Sequence, residues 1–68
     1  MDINYADAIL QLRAKLNLSQ LEMAKLLGVS FPSISRWENK HCQPTKLAKV
    51  RIIRLLEENN IEMKEIKQ

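Results

Sequence analysis

Glycine is nearly absent from this chain: Gly28 is the only one in 68 residues, and Pro32 and Pro44 are the only prolines. So few turn formers exclude a turn-rich all-β fold and leave no room for long loops or linkers. Cys42 is the single cysteine and His41 the single histidine. One thiol cannot form an internal disulfide, which fits a reducing compartment. Adjacent His41 and Cys42 do not complete a metal site, so a free, structurally neutral thiol and no cofactor are expected. The opening MDINYADAIL lacks a basic region or long apolar run, so no secretory signal is expected there. Nothing approaches the roughly 20 apolar residues that cross a bilayer. These absences together predict a soluble, cytoplasmic protein with no membrane partner. An enzyme is not expected either. The chain has no glycine-rich phosphate loop, and Glu22, Glu38, Glu57 and Glu58 have no evident catalytic partners.

What is present points to one small helical domain. Apolar residues make up 46% of the chain, enough for a core but one that is marginal at this length. Folds of this size often gain stability by dimerising. Charge is unevenly spread. Residues 1–34 balance three basic against three acidic side chains. Residues 35–56 carry Arg36, Lys40, Lys46, Lys49, Arg51 and Arg54 against Glu38 alone, a local balance of +5. Residues 57–68 return to −2. A basic block inside a folded domain suits a polyanion partner, and equally suits a solvated charged face.

Apolar spacing and capping residues predict four helices. Tyr5, Ile9, Leu12 and Leu16 share one face of a first helix over 3–16, with Asp2 as its cap. Ser19 and Glu22 form a capping box that starts a second helix over 20–27, which packs Met23, Ala24 and Leu27. Gly28 ends it, because the left-handed conformation at a helix end is cheapest without a Cβ. Ser30 caps a third helix over 31–38, where Pro32 sits in the first turn and loses no intrahelical bond. Ile34 and Trp37 face inward; Trp37 reads as a core anchor. The polar stretch NKHCQP leads to Thr45, the cap of a fourth helix carrying Leu47 to Leu56.

Helix 4 is apolar on two sides. Ala48, Ile52, Leu55 and Leu56 form one stripe, and Leu47, Val50 and Ile53 another, so a second surface needs cover. Ile52, Leu56, Asn59, Met63 and Ile66 step by 4, 3, 4 and 3, as in a short coiled-coil seam. Asn59 and Asn60 equally suit the end of the helix. The reading is therefore a folded unit over 1–58 and a polar tail or helix extension over 59–68.

The stretch QLEMAKLLGVSFPSISRWEN, residues 20–39, resembles the helix-turn-helix of the phage-repressor/Cro-type family of DNA-binding proteins, also called lambda-repressor-like or XRE-type. Ala24 stands where that pattern needs a small residue, Gly28 at its turn, and Met23, Leu27, Val29, Ile34 and Trp37 at its apolar positions. The resemblance runs from about residue 9 to 56. It implies an all-α, compact four-helix domain whose helices 2 and 3 form the motif. It also implies a sequence-specific regulator of transcription, expected to be a repressor, that binds double-stranded DNA as a homodimer. The family's fuller pattern has a fifth helix that is not evident here, which leaves the dimer surface open.

In such a motif the second helix presents its N-terminal end to base edges in the major groove. That exposes Phe31, Pro32, Ser33 and Arg36, with Ser35 nearby. The Arg36 fork matches O6 and N7 of guanine, Ser33 is a weaker reader, and Phe31 and Pro32 suit thymine methyls. Phe31 alternatively serves as a hydrophobic staple or meets a protein; Arg36 alternatively is a surface charge or an ion-pair member. Gln20 begins helix 2, where free amides favour an anion. The resemblance gives a glutamine there a grip on the DNA backbone. Ser30, Asn39, Lys40, His41, Gln43 and Lys46 form the other candidate phosphate rim. Relatives also imply an ion pair between Arg13 and Glu38. The competing function is a protein-interaction module on the same fold, an antitoxin or adaptor, using Phe31, Pro32 and helix 4 or the tail.

Overall fold

Each helix among the described residues starts on a short polar side chain that accepts from the amide three residues on. Asn4 takes Asp7 N at 3.1 Å, Ser19 takes Glu22 N at 3.1 Å, Ser30 takes Ser33 N at 3.3 Å and Thr45 takes Ala48 N at 3.3 Å. In a computed structural model that describes residues 3–62, the helices are α1 (Tyr5–Leu16), α2 (Gln20–Leu27), α3 (Phe31–Glu38) and α4 (Lys46–Glu58). The all-α, four-helix expectation is met. One boundary is corrected. The first helix begins at Tyr5 rather than residue 3, because Asn4 is the cap; Asp2 lies outside the described residues. Asn caps as well as Asp, and this register puts Asp7 in the first turn near the positive end of the helix dipole.

The ends are set as locally as the starts. Asn17 takes the left-handed conformation (φ 56°) and closes α1, and Gly28 (φ 71°) closes α2. Lys40 (φ 63°) follows α3, where its own amide bonds Trp37 O and that of His41 bonds Arg36 O. Asn60 (φ 57°) does the same after α4, with Ile61 N bonded to Leu56 O at 2.9 Å. Of the two readings of Asn59–Asn60, the structure takes the stop: α4 ends at Glu58, and Asn59 also bonds Leu55 O through its side chain. Ile61 packs back against the core. Met63 and Ile66 of the candidate seam lie outside the described residues.

The α2 capping box is complete. The Ser19 N–H donates to Glu22 Oε1 at 2.9 Å while the Ser19 hydroxyl takes the Glu22 amide. The Ser19 backbone bond, then its hydroxyl, with Lys25 adding, hold the Glu22 carboxyl below the usual range.

Ile9, Leu12, Met23, Leu27, Ile34 and Ile52 are fully buried, with Trp37, Leu56, Ala8, Ala24 and Ala48 among them. Truncating one of the larger side chains to alanine costs about 2–5 kcal/mol, a large part of a small domain's stability. Helix α1 lies across α3 and α4, and α2 packs chiefly on α3. Ala24 is buried in the α2 face, where its single methyl lets the neighbouring helix approach. That packing fixes how α3 is displayed.

Candidate nucleic-acid interface

Helix α3 divides by period into two faces. Ile34 and Trp37 are buried, while Phe31, Pro32 and Arg36 are exposed and Ser33 and Ser35 half-buried. Pro32 and Arg36, four apart, share the outward face. Among the described residues Arg36 makes no ion pair, so its five donors stay available. Phe31 is 46% exposed at the first position of the helix. Ser30 and Ser33 engage each other: their hydroxyls lie 2.8 Å apart, and Ser30 also takes the Ser33 amide. Ser33 therefore offers a partner less hydrogen-bonding capacity than its position alone implies.

The far end of α3 is anchored. Arg13 Nη1 donates to both oxygens of Glu38, at 3.1 and 2.9 Å, and Arg13 Nε donates to Leu18 O at 3.1 Å. The Glu38 side chain is only 7% exposed and that of Arg13 25%. A third donor reaches the same carboxylate: Gln20 Nε2, at 2.7 Å from Oε1. Glu38 thus ties α1, α2 and α3 together. Gln20, assigned to phosphate from its sequence position, spends one amide hydrogen here; its second hydrogen and the backbone amides of Gln20 and Leu21 remain for an anion, the Glu22 amide being taken by Ser19.

Loop residues divide similarly. Asn39 donates to Ser35 O at 2.8 Å and so helps close α3. Lys40, His41, Gln43 and Lys46 are exposed, as is Cys42. A cleft of about 170 Å³ between the start of α1 and this loop is lined by Asn4, Tyr5, Trp37, Lys40, Gln43 and Pro44. It is smaller than the roughly 300–1,000 Å³ typical of small-molecule sites.

The basic block is not one patch. Lys49 Nζ lies 5.3 Å from the centroid of the Tyr5 ring on α1, a cation–π contact. Arg51 Nη1 donates to Leu27 O at 2.7 Å. Arg51 and Arg54 are exposed like Arg36, Lys40 and Lys46, and Lys49 is half-buried, so the block is divided by the contacts its members make rather than by burial. Arg51 was missed as a structural residue. Nothing in its sequence surroundings distinguishes it from Arg54.

No helix among the described residues is long and apolar enough to cross a membrane. No match was found among curated proteins or among solved structures. The chain does match the helix-turn-helix family over residues 9–66, which takes in all of α2, the Gly28 corner and all of α3. Two short helices meet at a left-handed glycine within the matched region, and the chain belongs to the XRE-type, lambda-repressor/Cro-like helix-turn-helix family, a DNA-binding regulatory family rather than one of enzymes.

Proposed function

We propose that this protein is a cytoplasmic, sequence-specific regulator of transcription, acting as a repressor, that inserts α3 into the major groove of double-stranded DNA as a homodimer. The observation that carries the reading is the outward face of α3, where Arg36 stands unpaired among the described residues beside Pro32 and Phe31. Arg36 reads a guanine through paired bonds to O6 and N7. Phe31 and Pro32 supply apolar contact to thymine methyls, and Ser33 adds a weaker polar contact. Gln20, Ser30, Asn39, Lys40, His41, Gln43 and Lys46 hold the flanking phosphates and set register without reading sequence. The DNA-binding unit spans residues 1–58, with 59–68 as its tail.

Dimerisation rests on α4. Leu47 and Val50 are 61% and 52% exposed on its outer side, and covering them with a second copy removes apolar surface from water. A two-fold dimer calls for half-sites about 34–36 Å apart. Selection of bound sequences from a random duplex library tests the whole reading. Recovery of a two-fold symmetric site supports it; enrichment of no sequence sinks it.

The same exposed Leu47 and Val50, with Phe31, favour a second reading: a protein-interaction module such as an antitoxin or adaptor. A gel shift against pooled duplexes at low and moderate salt, beside a pull-down, separates the two. Capture of a protein with no DNA shift at low salt selects the second.

A further inference from the structure

The last carbonyls of α2 have no partners within their own helix, and Leu27 O lies at the corner where the chain turns toward α3. Arg51 reaches it from α4, 24 residues away in sequence, with Nη1 at 2.7 Å. Among the described residues this is the one side-chain hydrogen bond joining α4 to another helix. A positive charge there also meets the negative end of the α2 dipole. A Cβ built at position 28 would lie 2.7 Å from the same nitrogen, well inside contact distance. Gly28 is favoured there by its φ of +71°, and a Cβ at that position would push aside the flexible end of the Arg51 side chain.

We propose that Arg51 is a positioning residue for DNA recognition: it clamps the end of α2 and sets the angle at which α3 leaves the corner, without touching DNA itself. The inference rests on the DNA-reading function proposed above. Elsewhere α4 meets α2 over a small area and packs chiefly on α1, so this bond is the polar tie between α4 and the helix-turn-helix pair. Ser30, which caps α3, follows Gly28 by two residues, so a rotation at the corner is passed directly to Phe31, Pro32 and Arg36.

The test pairs DNA titration with solution measurements that need no DNA. Arg51→Ala is expected to weaken binding to the selected site about tenfold, with random-duplex affinity and the slope of log K against log salt unchanged. Arg51→Lys, which retains a donor and the charge, restores most of the loss. Residual dipolar couplings of Arg51→Ala show an altered α2–α3 angle. Gly28→Ala displaces the same guanidinium, so its effect on the unfolding midpoint and that of Arg51→Ala sum to less than additive. Equal loss on both duplexes with a slope smaller by about 0.9 makes Arg51 a phosphate contact and overturns the proposal. Unchanged couplings, additive midpoints, or an altered angle with intact site preference overturn it too. If the wild type selects no DNA site, the regulator reading fails, while the couplings and midpoints still decide whether the clamp exists.

Discussion

Glu38, the last residue of α3, accepts from Arg13 at 2.9 Å and from Gln20 at 2.7 Å, partners that lie 25 and 18 residues earlier in the chain. One carboxylate thereby fastens α3 to both helices that precede it. Arg13→Ala removes the cation and leaves a nearly buried Glu38 with Gln20 alone. A loss of about 2 kcal/mol is expected, between the ~0–1 of an exposed pair and the ~3–5 of a fully buried one. Urea denaturation measures it, and a loss under about 0.5 kcal/mol contradicts the account.

Arg36 and Lys40 are both exposed and cationic, yet different roles are proposed for them. Arg36→Ala should cost about 1–3 kcal/mol on the selected site and little on random duplex. Lys40→Ala should weaken both alike and flatten the salt dependence by about one contact. Fluorescence titration across a salt series reads both; equal loss on the two duplexes for Arg36→Ala removes it from base reading.

Lys40 holds φ at 63°, a conformation that is strained for a residue with a Cβ. Lys40→Gly should raise stability by about 0.5–1 kcal/mol while weakening DNA binding, because backbone relief and loss of a phosphate contact act on different observables. Thermal unfolding beside a binding titration checks the pair. A variant less stable than the wild type contradicts the strain argument.

Glu22 supplies a pH dependence. Its folded carboxyl is held below the ordinary range by the Ser19 backbone bond first, then the Ser19 hydroxyl and Lys25. A depressed folded value means stability that is present above the unfolded carboxylate pKa and lost as pH falls through the folded one. Glu22→Gln keeps the capping geometry and removes the charge. The wild type should therefore be the more stable at neutral pH, with the gap closing as pH drops below the usual carboxylate range. Parallel melts across pH test this, and a gap independent of pH excludes the charge as its source.

Much of the fold was legible because it is written in short-range chemistry. Ser19 with Glu22, Gly28, Ser30 with Pro32, and Thr45 each act within three or four residues, so a reader of the chain finds the bounds of α2 and α3 and the start of α4. The start of α1 was misread by two residues because Asp2 and Asn4 are near-equal caps. Local chemistry does not choose between them. The tail offered two stories through Asn59–Asn60, and the left-handed Asn60 with its Ile61–Leu56 bond ended the helix.

The candidate site was legible only as a roster of side chains. Periodicity separates Ile34 and Trp37 from Pro32 and Arg36, since a helix repeats every 3.6 residues whatever surrounds it. It does not say that Ser33 is taken by Ser30, that Lys49 sits over Tyr5, or that Gln20 is drawn to Glu38. Least of all does it separate Arg51 from the other basic residues of α4. Those assignments belong to the packed globule, because two groups far apart along the chain acquire an energy of interaction only once folding has set the distance between them.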